Sequence, residues 1–190
     1  MATNIAAYIT QKMVEASVIE ECDKALYQYG FYLIVSRILF LLVSGAVGFF
    51  LRIFAESILF YFVFSSLRTY AGGIHAKTEG ECTVLTTIAL SVSILGIKVM
   101  EQTSSMLVPT VMLIFGSLSI ILFSPLDTQE KPLEEVERIY YRAICLILTA
   151  LCIISIIISK WLLTNTVCYP IITGVFLEGI LLCIGKVAER

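Results

Sequence analysis

The chain has 190 residues, of which 58% are hydrophobic and 15% are charged, and its formal net charge is −2. Soluble domains contain about 45–50% apolar and about 25% charged residues, so this composition excludes an ordinary soluble domain and favours a membrane protein. The net charge excludes a basic field for binding nucleic acid.

The first 29 residues form a separate N-terminal segment. They carry acidic residues and no basic run ahead of an apolar core, so we expect no cleaved signal peptide. Ile5, Ile9, Met13 and Ala16 recur at helical spacing, which predicts an amphipathic helix on the membrane surface. A helix that caps the membrane bundle would give the same pattern.

Residues 31–185 contain six apolar stretches that approach the length of about 20 residues needed to cross a bilayer. The predicted spans are 31–51, 53–70, 83–100, 106–123, 141–159 and 167–185. A short hinge at Arg52 makes the first two spans a tight hairpin. The predicted fold is therefore all-α, a polytopic bundle of six transmembrane helices in a single domain of residues 1–190.

Lysine and arginine in the loops predict the orientation, because they concentrate on the cytoplasmic side. With the N-terminus inside, the inner loops carry nine of these residues and the outer loops three. The inner residues are Lys12, Lys24, Arg68, Lys77, Lys131, Arg138, Arg142, Lys186 and Arg190. We therefore expect both termini and the 71–82 and 124–140 loops on the cytoplasmic face.

The loop between the second and third spans has the sequence RTYAGGIHAKTEGEC, from Arg68 to Cys82. It holds His75, the only histidine in the chain, and a histidine can take the proton of a cysteine thiol to generate a nucleophilic thiolate. Gly72 and Gly73 have backbone N–H groups that can form an oxyanion hole. Arg68 can stabilise negative charge or hold a carboxylate.

The spacing of His75 and Cys82 limits how they can act together. Seven residues on one straight helix lie about 10 Å apart along its axis, beyond the reach of a hydrogen bond of about 3 Å. A catalytic pair therefore requires the chain between them to fold back. The alternatives are a chance occurrence of both residues in a polar loop, or a metal site. Zinc is disfavoured because no second histidine exists, so we predict no metal or cofactor.

The 124–140 loop contains Asp127 and Lys131. Asp127 either orients His75 or caps a turn, and the latter interpretation is favoured. Lys131 either binds the acidic tail of a substrate or anchors the loop on the cytoplasmic side. Acidic residues after Pro132 predict that a helix starts there.

Arg37 and Glu178 are charged residues inside predicted spans, where charges are rare and tend to pair or to mark a pathway. Both lie about 10 Å from the cytoplasmic ends of their helices, counted at about 1.5 Å per residue. They are thus candidates for an ion pair between the first and sixth spans, although Arg37 can also extend to the interface.

The two loops resemble those of a known family, the membrane cysteine peptidases called accessory gene regulator B (AgrB). The resemblance rests on Arg68, Gly72-Gly73, His75-Ala76 and Cys82, and on the sequence SPLDTQEKPL at residues 124–133. The chain length, the six-span pattern and the amphipathic N-terminus also agree.

The resemblance implies an enzyme of the cell membrane, in a Gram-positive bacterium, that cuts the C-terminal tail from an AgrD-like precursor of a quorum-sensing peptide. Cys82 would be the nucleophile and His75 the general base and acid. The acyl-enzyme would pass to a cysteine or serine of the peptide and close a thiolactone or lactone ring. The resemblance also implies a homodimer. The rival functions are a small transporter or channel that uses Arg37 and Glu178, and a non-catalytic scaffold in which Cys82 is dispensable.

Overall fold

The computed structural model describes residues 2–73, 79–103, 106–126, 134–162 and 166–188. Within these ranges all regular structure is helical, which confirms the predicted all-α class. The helices are α1 (Ala2–Glu15), α2 (Lys24–Phe50), α3 (Phe54–Ala71), α4 (Glu79–Gln102), α5 (Leu107–Phe123), α6 (Glu135–Trp161) and α7 (Cys168–Ala188). A 3-10 turn, Glu21–Asp23, precedes α2. The chain divides into two compact units, Met1–Val43 and Ser44–Arg190.

The first unit contains α1 and most of α2. The predicted N-terminal helix is confirmed, but its apolar stripe is not its buried side. Ala6 and Thr10 are buried, and the Thr10 hydroxyl donates a hydrogen bond of 2.8 Å to the Ala6 carbonyl. Ile5 and Tyr8 are exposed, as expected of an amphipathic helix that offers apolar side chains to a lipid surface. Its position on the membrane stays a prediction.

In the second unit, α7 is the central helix. It packs against α3, α4, α5 and α6. In its spanning segment 72% of the residues are buried, compared with 17% in α4 and 22% in α6. Glycines allow α7 and α5 to approach closely, because a Cβ atom on Gly179 would lie 2.7 Å from the Cα of Gly116 in α5. Such small residues are typical of contacts between membrane helices.

Among the described residues, four helical segments are long and apolar enough to cross a bilayer: Glu21–Phe50, Gly80–Gln102, Glu135–Trp161 and Cys168–Val187. The chain is therefore a membrane protein with several long apolar helices. The other two predicted spans correspond to α3, with 18 residues, and α5, with 17. At 1.5 Å per residue each is about 26–27 Å long, slightly shorter than a hydrocarbon core of about 30 Å. The count of six spans is thus not confirmed.

The predicted hinge at Arg52 lies in a short turn, because α2 ends at Phe50 and α3 begins at Phe54. The packing of these two helices as a hairpin stays a prediction. Arg52 has a φ of 59° and occupies the left-handed region. The Ile53 N–H donates a hydrogen bond of 2.8 Å to the Gly48 carbonyl. A side chain at Gly48 would collide with Ser57, so glycine is required for this tight turn.

Candidate functional site

The candidate site begins where α3 ends, at the turn formed by residues 71–73, which we call the glycine turn. Gly72 has φ 77° and ψ −152°, and Gly73 has a φ of 133°. Residues with a side chain rarely adopt these conformations. A Cβ atom on Gly72 would also lie only 2.6 Å from the backbone oxygen of Leu126. Both the conformation and the space therefore require glycine.

The glycine turn contacts the start of the second loop. The backbone N–H of Leu126 donates a hydrogen bond of 2.8 Å to the carbonyl of Ala71. Leu126 is also buried in a core cluster with Leu67, Ala71 and Ile120. The two loops that carry the sequence motifs therefore start side by side at one end of the bundle. Which side of the membrane this end faces stays a prediction.

Arg68 lies over the glycine turn. Its Nη1 atom donates a hydrogen bond of 2.8 Å to the carbonyl of Gly72, four residues further along the chain. The same atom occupies the place where a Cβ atom of Gly73 would be. Glycine at position 73 thus makes room for the guanidinium group, a role that adds to the predicted oxyanion hole.

Glu178 lies beneath Arg68 in the core. Its side chain is fully buried, and its Oε1 atom is 3.8 Å from Nη1 of Arg68, whose own side chain is 26% exposed. Neither carboxylate oxygen has a hydrogen-bond partner in the part of the chain that the structure describes. Val175 and Leu182, on the same face of α7, are buried and apolar. Among the described residues, Arg68 is thus the cation that pairs with this carboxylate.

Sequence analysis paired Glu178 with Arg37, which belongs to the first unit. That contact would join the two units and stays a prediction. The pairing with Arg68 was missed because Arg68 was assigned only to substrate or to a developing negative charge. The available signal was the position of Arg68 in the last turn of α3, from which a long side chain can reach into the bundle.

Cys82 is the fourth residue of α4 and is partly exposed. Peptide dipoles stabilise negative charge at the first turn of a helix, so this position suits an anionic sulfur or a nearby oxyanion. Cys145 and Cys168, by contrast, are buried in the apolar clusters of the bundle. The thiol of Cys82 is therefore more exposed than those of Cys145 and Cys168, and Cys152 and Cys183 are partly exposed as well.

Three residues predicted for the site lie outside the described residues: His75, Asp127 and Lys131. The proposed Cys82–His75 pair, a third residue that orients His75 and the binding of an acidic tail by Lys131 stay predictions. What the structure brings together is Arg68, the glycine turn and the start of the second loop.

A cavity lies at the opposite end of α3. It has a volume of about 510 Å³ and is open on one side. Its lining residues include Arg52, Glu56, Glu101 and Tyr169. Since α3 separates this cavity from the glycine turn, we do not assign it to the reaction.

Comparisons with known proteins agree with the resemblance of the two loops. A family model described as Accessory gene regulator B matches residues 2–182. The chain is 27% identical to an AgrB-like protein of Clostridium perfringens strain SM101, over 92% of this chain and 88% of that one. It is 28% identical, over the same shares, to AgrB-like protein 2 of Clostridium perfringens strain 13. No solved structure matches the chain.

Proposed function

The chain belongs to the accessory gene regulator B family, and we propose that it is a membrane cysteine endopeptidase. The family supports a peptide-processing role in the agr quorum-sensing system, with an AgrD-type propeptide as partner. The family match over residues 2–182 carries the proposal, and the accessible Cys82 in the first turn of α4 gives it a nucleophile.

In the first step, the Cys82 thiolate attacks the carbonyl carbon of the scissile peptide bond. His75 takes the thiol proton and then gives it to the leaving amine as the C–N bond breaks. The C-terminal tail departs with a free amino group, and the remaining peptide is bound to Cys82 as a thioester. Arg68 and the glycine turn supply positive charge and N–H groups for the tetrahedral oxyanion.

In the second step, a cysteine thiol or serine hydroxyl of the bound peptide attacks the thioester carbonyl. Its proton passes through His75 to the sulfur of Cys82, which leaves as the free thiol. The product is a thiolactone or a lactone ring. Exclusion of water from the site favours ring closure over hydrolysis.

The proposal also includes the arrangement of the protein. Six helices span the cell membrane, both termini and the two loops face the cytoplasm, and residues 1–190 form one catalytic domain. Two copies form a homodimer. Asp127 caps its turn or orients His75, and Lys131 binds the acidic tail of the precursor or anchors its loop.

Co-expression with a tagged AgrD-type precursor tests the proposal. We expect cleavage of the precursor to disappear in Cys82→Ala and in His75→Ala. Cys22→Ala is the matched control, because Cys22 is also an exposed thiol but belongs to the 3-10 turn before α2. A mass spectrum of the product, one water lighter than the linear peptide, would show ring closure. Normal processing by Cys82→Ala would exclude the peptidase.

A further inference from the structure

Glu178 has no role in the reaction as described above. It is an acid at full burial in the central helix of a membrane protein, and both of its carboxylate oxygens lack a hydrogen-bond partner among the described residues. Acidic residues inside membrane helices are costly to bury and are generally tied to function. Its placement therefore calls for an explanation beyond packing.

We propose that Glu178 is a positioning residue for the candidate active site: from the core it holds the guanidinium of Arg68 over the glycine turn. The inference rests on the proposed function, since it assigns Glu178 to the same site. The chain of contacts is continuous. Glu178 Oε1 faces Arg68 Nη1 at 3.8 Å, and this nitrogen donates to the Gly72 carbonyl at 2.8 Å.

The glycine turn needs such support. Gly72 is in a conformation that glycine alone adopts readily, and its backbone is held by the Arg68 hydrogen bond on one side. On the other side, the carbonyl of Ala71 accepts the hydrogen bond of the Leu126 N–H. Arg68 thus fixes the chain at Gly72, three residues before His75 in the sequence and beside the point where the second loop meets the glycine turn.

The carboxylate gives Arg68 a fixed direction that a flexible side chain otherwise lacks. An arginine at a helix end can turn outward to water, and ordering its side chain costs conformational entropy. A negative charge in an apolar core attracts the guanidinium strongly, because the low local dielectric screens the charges little. Glu178 therefore keeps the guanidinium directed inward over Gly72 and Gly73.

A double-mutant cycle tests this role on the full chain in lipid nanodiscs. The variants are Glu178→Gln, Arg68→Met and their combination, with Glu56→Gln as the control at the other end of α3. We expect Glu178→Gln to lower the kcat of precursor cleavage with little change in KM, and the double variant to be no slower than Arg68→Met alone. The proposal would be overturned if the reductions in kcat of the two single variants multiplied in the double variant, or if Glu178→Gln changed only KM.

Glu178→Asp is a second variant that preserves the charge but moves it away by one methylene group. The kcat of Glu178→Asp should fall between that of the native protein and that of Glu178→Gln. An ion pair needed only for stability would instead change the melting temperature and leave kcat unaltered at temperatures below it. Two results would contradict a charge that acts through Arg68. In one, the kcat of Glu178→Asp is as low as that of Glu178→Gln. In the other, both variants have the kcat of the native protein.

Hydrogen exchange separates this inference from the proposed function. The amide of Leu126 reports on the glycine turn through its bond to Ala71, so we expect it to exchange several-fold faster in Glu178→Gln and in Arg68→Met, with or without Cys82. Faster exchange together with cleavage by Cys82→Ala would support the positioning and refute the peptidase. Unchanged exchange with cleavage abolished in Cys82→Ala would refute the positioning alone.

Discussion

The two ends of α3 use similar residues in different surroundings. At its start, Arg52 has a positive φ, and Arg52, Glu56 and Glu101 line an open cavity. At its end, Gly72 has a positive φ and Arg68 faces Glu178, which is fully buried. An arginine, a glutamate and a turn with a positive φ thus occur at both ends, but of the two glutamates, Glu56 and Glu178, the second alone is fully buried.

This difference determines what each arginine does. Water and salt screen the charges around the cavity, so the removal of any one of them leaves the others solvated. The carboxylate of Glu178 is screened by neither and depends on Arg68. Burial of the partner, more than residue type or backbone geometry, therefore decides how much stability the loss of a charged residue costs.

The largest expected effect is on the free energy of unfolding, which Arg68→Met should lower far more than Arg52→Met does. The first change leaves Glu178 buried without a compensating charge, which costs about 3–5 kcal/mol. The second removes an exposed side chain and should change stability by less than about 0.5 kcal/mol. The free energy of unfolding in detergent micelles measures both effects.

The combination Arg68→Met with Glu178→Leu is the control for this comparison. It removes both charges, so it should recover most of the stability that Arg68→Met loses, while cleavage of the precursor stays impaired. An equal loss of stability in Arg52→Met and Arg68→Met, or no recovery in the combination, would break the distinction between the two ends of α3.

Gly72→Ala should have the next largest effect. The substitution forces a side chain into an unfavourable backbone region and against the carbonyl of Leu126, at a cost of about 2–4 kcal/mol. Gly96→Ala is the matched control, because Gly96 lies inside α4 and a Cβ atom there meets nothing within 4 Å. The control should be neutral or slightly stabilising. Thermal unfolding of both variants distinguishes them, and equal melting temperatures would refute the steric requirement at Gly72.

Much of the fold could be predicted from the apolar stretches of the sequence and the short breaks between them. Apolar stretches predicted the positions of the helices because lipid demands satisfied backbone groups and apolar side chains. The turn at Arg52 followed from the short gap between two such stretches. The buried side of α1 could not be predicted in this way, because Ala6 and Thr10 are small and contribute little to an apolar stripe.

The candidate site could be predicted only in part. The motif RTYAGGIHAKTEGEC predicted the importance of Arg68, Gly72 and Cys82, but the partner of Glu178 was missed. Counting residues along a helix gives the depth of a side chain and does not say which helices are neighbours. Glycines and buried polar residues in α7, such as Gly179 and Thr173, were the available signal that this helix is central.

Lys98→Met should have the smallest effect and offers the sharpest contrast with Arg68→Met. Lys98 Nζ lies 3.5 Å from Glu101 Oε2, one turn away on α4 and beside the open cavity. Such pairs contribute about 0.2–0.5 kcal/mol, and salt screens them with a Debye length of about 3 Å at 1 M. The loss in Lys98→Met should therefore vanish in high salt, whereas the loss in Arg68→Met should persist because ions do not reach Glu178. If salt abolished both losses, the Arg68–Glu178 pair would have to be open to water like the pair on α4.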